Sequence, residues 1–160
     1  MIAVRALVAA GVVSVISSAS QAQEDRGEYL ARIMDCGGCH TPGYLKGQPD
    51  MARYLGGSDV GFEIPGLGIF YPPNLTSDPT GAGSWTEAQI IAAVRTGVTP
   101  EGRQLAPIMP YHMYAALTDE DASALARFLQ STMPVSHEVP DPVGPNEKPP
   151  LPYMTTKEPE

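Results

Sequence analysis

The chain's only two cysteines stand two residues apart, in Cys36-Gly37-Gly38-Cys39-His40, with a histidine directly after the second. Four chemistries use such a pair: a disulfide, half of a zinc site, a redox dithiol, and covalent attachment of a haem. Two thiols at this spacing can add to the two vinyl groups of one haem, and the next residue brings an imidazole beneath the iron. Gly37 and Gly38 would leave room for the porphyrin edge to approach the backbone. A structural zinc site needs four ligands, usually with a second cysteine or histidine pair. Only His112 and His137 remain for that purpose, far apart in the sequence. A thioredoxin-like dithiol belongs in a βαβ pattern, which is not seen here. A plain disulfide suits an oxidising compartment but leaves His40 without a role.

The rest of the chain favours the haem. Three segments have helical periodicity. In "DRGEYLARIMD", Tyr29, Leu30, Ile33 and Met34 fall close to one face, and Asp25 with Glu28 has capping-box spacing. "SWTEAQIIAAVRTG" begins with Ser84 and Glu87 at the same spacing, carries Ile90, Ile91 and Val94, and stops at Gly97. "LTDEDASALARFLQST" opens with Thr118 and Asp121 and presents Leu125, Phe128 and Leu129, with Pro134 beyond its end. Tyr29 against Phe128 or Leu125 is expected to mark the packing of the first helix on the last. Between the first two helices, Thr41–Gly83 is rich in glycine and proline and has no clear period. Three short helices bury little surface by themselves, so loops of this length must wrap something. A large apolar cofactor would supply the missing core.

Residues 1–22 read as a cleavable secretory signal: Arg5 makes a positive start, Ala6–Ile16 is apolar, and Ser20-Gln21-Ala22 precedes the cut. The apolar run is shorter than the ~20 residues that span a bilayer, so an exported, soluble, periplasmic protein without stable membrane insertion is expected. Without Arg5, nine of the ten basic side chains face eighteen acidic ones. Such a surface repels phosphate backbones, which argues against nucleic-acid binding and favours a basic protein partner. Residues 23–134 form one expected domain. Residues 135–160, dense in proline, read as an extended, polyproline-like arm outside the core, lying along the domain or reaching to a partner.

With His40 beneath the iron, the sixth ligand separates electron transfer from ligand-binding chemistry. Met109 stands out in "LAPIMPYHMY", where Pro107 and Pro110 stiffen a loop between helices. Packing filler is the alternative for it, and Met113 is the second choice as ligand. Met34, Met51, Met133 and Met154 lie in less suitable places. Trp85, Tyr71, Asn74 and Arg103 carry polar groups that could reach the haem propionates. His112 reads as a surface or propionate-side residue, and His137 as part of an exposed tail.

On these residues the chain resembles class I cytochromes c. More narrowly, "NLTSDPTGAGSWTEAQIIAAVRTGV", "GRQLAPIMPY" and "LTDEDASALARFLQSTMPV" resemble the cytochrome c domains of bacterial membrane-bound alcohol dehydrogenases and related periplasmic dehydrogenases. The resemblance covers roughly residues 25–135. It implies an all-α, class I cytochrome c-like fold of few short helices and long loops around one covalent haem c. Cys36 and Cys39 would carry the haem, with His40 proximal and Met109 distal to the iron. It implies an electron-transfer protein rather than an enzyme. The donor would be a periplasmic dehydrogenase and the acceptor a terminal oxidase or another cytochrome. The alcohol dehydrogenase subunits carry three such domains where this chain has one. That favours a monomeric free carrier, with a dedicated subunit of a small complex as the alternative and a five-coordinate gas-binding protein as a third reading. Asp119, Glu120 and Asp121 are the expected steering charges for a basic partner.

Overall fold

The computed structural model describes residues 26–159. The signal reading of residues 1–22 and the capping role of Asp25 lie outside the described residues. Helix α1 (helical over 26–33) turns at Asp35, which takes a left-handed conformation (φ 53°), into the short α2 (Cys36–His40). Helix α3 spans Glu87–Thr96, α4 spans Tyr111–Tyr114 and α5 spans Asp119–Ser131. α3 packs against both α4 and α5.

The buried face of α1 is Leu30 with Ala31, while Tyr29 and Ile33, expected on that face, are exposed. What brings α1 onto α5 is Gly27. A Cβ there would stand 2.6 Å from Phe128 Cβ and 2.8 Å from the Ala124 carbonyl carbon, so only a glycine permits this crossing. Tyr29 instead lies under the Arg26 guanidinium, 5.2 Å from its ring centre. The main core joins Leu30, Ala31, Cys36, Leu55, Ile90, Leu125, Ala126 and Leu129, with Trp85 and Phe128 packed against it.

The cap of α3 also differs from expectation. Thr86 is the N-cap and shares a reciprocal capping box with Gln89, whereas Ser84 belongs to a preceding 3-10 turn. Both pairs have the right spacing; the turn at Ala82–Ser84 settles which one starts the helix. Gly97 ends α3 in the left-handed conformation, and Thr118 caps α5, as the sequence suggests.

The fold is not all-α. The Gly/Pro-rich segment holds two 3-10 turns (Tyr44–Lys46 and Met51–Arg53) and a hairpin of β1 (Gly61–Ile64) and β2 (Gly68–Phe70). A two-sided hairpin this short gives no readable alternation in sequence. β3 (Tyr153–Met154), from the C-terminal arm, pairs in parallel with β1, giving the order β2-β1-β3. On the opposite side, Val143 exchanges both backbone hydrogen bonds with Ile69 of β2, at 2.8 and 2.9 Å. The arm therefore straddles the hairpin and covers both of its edges, which would otherwise present unpaired N–H and C=O groups. Val143 is itself buried in a second cluster with Ile69 and Tyr71. The expectation of an arm wholly outside the core is thus corrected: its prolines suppress helix, yet they leave Val143 and Leu151 free to pack.

Candidate functional site

Helix α2 places Cys36, Cys39 and His40 on little more than one turn, and the two thiols are unjoined. Cys36 is buried in the main core. Burial pushes its thiol up to about 11, and burial, with Asp35 second, also raises Cys39. A redox dithiol works through a thiolate with a lowered pKa, so these thiols have the opposite electrostatics. Nor do the described residues bring three histidine, cysteine or carboxylate groups together as a metal site would need. His112 is exposed beside Tyr111, and His137 bonds through Nδ1 to the Gly56 carbonyl oxygen at 2.6 Å.

Gly37 and Gly38 line a cavity together with Ala31, Tyr54 and Phe128, and each has a close neighbour on the side where a Cβ would stand. A Cβ on Gly37 would meet the Tyr54 ring at 2.5 Å, and one on Gly38 would meet the Asp35 carboxyl carbon at 2.6 Å. They admit neighbouring side chains of the chain's own fold. Tyr54 is the residue that sequence reasoning missed here.

His40 is buried, and its Nδ1 lies 2.7 Å from the Pro73 carbonyl oxygen. That acceptor fixes Nδ1 as the protonated nitrogen and leaves Nε2, which has no partner among the described residues, as the free lone pair. Burial lowers the histidine's pKa, against the opposing effect of the Pro73 bond. A neutral imidazole with one nitrogen oriented by a carbonyl and the other free is the form in which histidine binds a metal. The donor set thus fits a covalent haem: two adjacent thiols and one oriented imidazole. Pro73 was not foreseen. The signal was present in "YPPN", where prolines stiffen the backbone and supply carbonyls without competing N–H groups.

Met109 is partly buried in the loop between α3 and α4. Leu105 N–H bonds the Gly97 carbonyl at 2.7 Å, and the Met109 carbonyl accepts from Tyr111 N–H at 2.8 Å, so the loop is tied at both ends. Met51, Met113, Met133 and Met154 are exposed, and Met34 packs against the main core. Among the described methionines, Met109 alone is neither exposed nor part of that core.

The four polar residues expected at the propionates part company. The Asn74 amide is already fully engaged, with Thr76, Thr80 and the Val135 carbonyl. Tyr71 Oη donates to the Leu151 carbonyl at 2.8 Å and accepts from the Leu151 N–H. Both hold the C-terminal arm. Trp85 is half-buried on the main core, and its carbonyl accepts from Gln130. Arg103 is exposed on a turn closed by the Thr99–Arg103 backbone bond.

No helix among the described residues is long and apolar enough to cross a membrane. The family model described as cytochrome c matches residues 24–133. The chain is similar to the cytochrome c subunit of a quinone alcohol dehydrogenase from Gluconobacter oxydans, 38% identical over 136 residues, covering 80% of this chain and 27% of that protein. It is 41% identical over 120 residues to the gluconate 2-dehydrogenase cytochrome c subunit of Pantoea cypripedii, covering 74% and 25%. The fructose dehydrogenase cytochrome subunit of Gluconobacter japonicus is 38% identical over 117 residues, covering 72% and 22%. The chain spans about a quarter of the length of these relatives.

Proposed function

From the premise that the chain belongs to the cytochrome c family, we propose that it is a periplasmic one-haem electron-transfer protein serving a dehydrogenase. Cys36 and Cys39 would hold the haem by thioether bonds, and His40 Nε2 and Met109 Sδ would bind its iron. The single Cys36–Cys39 pair supports one haem on this stretch of chain. The haem supplies reversible one-electron exchange when bound, and methionine opposite histidine favours a high potential. The chain's own contribution is rigidity. Pro73 orients the imidazole, and the tied ends of the Met109 loop hold the thioether. The donor is read as a periplasmic dehydrogenase and the acceptor as an oxidase or another cytochrome. The observation that carries this reading is the His40 geometry, with one ring nitrogen bound to Pro73 and the other free beside two unjoined thiols.

Visible spectra of the protein, made in a host able to attach haem, test it. Both redox states should be low-spin, with a methionine–iron band in the oxidised form. Met109→Ala should remove that band and admit carbon monoxide to the reduced form, while Met113→Ala should change neither. A wild type that binds carbon monoxide readily would support the gas-binding reading instead. A colourless, folded wild type would overturn the proposal.

The relatives named as dehydrogenase cytochrome subunits favour a second reading, a permanent subunit of one dehydrogenase. Stoichiometric co-purification with a dehydrogenase would decide for it, and a monomeric chain that accepts electrons after purification would decide for the free carrier.

A further inference from the structure

The His40–Pro73 hydrogen bond is only as fixed as Pro73, and residues 55–58 tie the backbone on both sides of Pro73 and at His40. Ser58 N–H bonds the Pro72 carbonyl, Leu75 N–H bonds the Leu55 carbonyl, and Gly57 N–H bonds the carbonyl of His40 itself, all within 2.8–2.9 Å. Next to Pro73, Asn74 is 2% exposed and every hydrogen-bonding position of its amide is used. Nδ2 donates to Val135 O at 2.7 Å and Thr80 Oγ1 at 3.0 Å, while Oδ1 accepts from Thr76 N–H at 2.9 Å and Thr76 Oγ1 at 2.8 Å. The arm completes the knot. Val135 N–H donates to Thr76 Oγ1, His137 N–H donates to Thr80 Oγ1, and the His137 ring donates from Nδ1 to Gly56 O. Val139 packs where a side chain on Gly57 would lie.

We propose that Asn74, locked by residues 135–139 of the arm, is a positioning residue for His40, and that the first stretch of the arm thereby sets the reduction potential. The proposal rests on His40 binding the haem iron. A histidine that donates Nδ1–H to a fixed carbonyl is a more basic ligand, and a more basic ligand favours the oxidised metal. Releasing Pro73 therefore weakens the bond and raises the potential. The farther end of the arm, held by Tyr71, pairs with the hairpin and makes no hydrogen bond to Pro72, Pro73 or Asn74 among the described residues, so it provides the contrast.

The test is redox titration at pH 8, where an ordinary histidine with a pKa of about 6.5 is neutral, on full-length haem-loaded wild type, Asn74→Ala, His137→Ala and Tyr71→Phe. Proton exchange at His40 Nδ1–H is followed by NMR in the reduced form. Asn74→Ala is expected to raise the midpoint potential and speed that exchange, with His137→Ala shifting both in the same direction by less. Tyr71→Phe is expected to lower thermal stability while leaving both unchanged. If Asn74→Ala does not fold, His137→Ala decides alone. Unchanged potential and exchange in the folded variants, or an equal shift in Tyr71→Phe, would overturn the positioning role while leaving the haem reading intact. A colourless wild type would overturn the haem reading first.

Discussion

Arg26 and Asp121 face each other in a two-pronged ion pair, Nε to Oδ1 at 2.8 Å and Nη2 to Oδ2 at 3.0 Å. The pair ties α1 to the first turn of α5. Two residues earlier, Asp119 is engaged by Arg95, at 2.8 Å. Two of the three acids read from sequence as steering charges therefore already face guanidinium groups of the same chain. Among the described residues Glu120 is the member of the trio without such a partner, so two of the three expected steering charges are paired within the chain. The sequence shows three acids in a row; it does not show that the cations opposing them come from elements 95 and 24 residues away.

The Arg26–Asp121 pair makes a pH-dependent contribution whose sign follows from Asp121. The hydrogen bond from Arg26 is the main cause holding this carboxyl below its ordinary range. A carboxyl depressed in the folded state adds stability above its unfolded pKa of about 3.9, and loses it as pH falls through the folded value. A double-mutant cycle with Arg26→Ala and Asp121→Ala, read by thermal melting, should show a favourable interaction at pH 7 that fades below pH ~4 and weakens with added salt. An interaction of equal size at pH 7 and pH 2.5 would contradict the assignment.

Gly27→Ala should be among the most damaging single-methyl additions in the described chain. The added carbon would meet the Ala124 carbonyl oxygen and Phe128 Cβ, and one of the two is backbone that cannot rotate away. Overpacking of this kind costs roughly 1–3 kcal/mol. Chemical denaturation should show that loss as a lower midpoint with unchanged slope. A neutral result would mean that α1 crosses α5 elsewhere.

Much of the architecture was legible in local signals. Gly97 and Thr118 act where their caps suggest, and Cys36, Cys39 and His40 fall together because five consecutive residues cannot do otherwise. The illegible part is what depends on distant partners. Gly27 reads as an indifferent helix residue until Ala124 is seen across from it. Asn74 and Tyr71 read as polar groups in search of a ligand, because nothing local reveals that Val135 and Leu151 satisfy them. Proline density marked the arm as non-helical, but no local rule distinguishes an arm in solvent from one laid along a hairpin.

The two candidate caps of α3 give a clean local test. Thr86 Oγ1 accepts from Gln89 N–H at 3.3 Å, and Gln89 Oε1 accepts from Thr86 N–H at 2.8 Å. Replacing an N-cap threonine by alanine costs about 1 kcal/mol. Thr86→Ala should lose that amount in denaturant unfolding. Ser84→Ala, in an exposed turn without a side-chain cap bond, should stay within about 0.5 kcal/mol of wild type. The reverse order would restore Ser84 as the cap.

Deleting residues 143–160 separates the two halves of the arm. The stretch that grips Asn74 and Gly56 stays, while Val143, the Tyr71–Leu151 hydrogen bonds and the β3 pairing go. Burial of a valine contributes roughly 1.5–3 kcal/mol, and the shortened chain loses it together with these hydrogen bonds, so its melting midpoint should fall. Both hairpin edges would also be uncovered at once, β2 at Ile69 and β1 at Gly61–Phe62, so the shortened protein should self-associate on size-exclusion chromatography as concentration rises. Its reduction potential should match that of the full chain, because the bonds around Pro73 remain. A shortened protein with wild-type melting and a monomeric profile would show that the outer arm adds nothing to the fold, and one with a shifted potential would extend the control of His40 beyond residue 139.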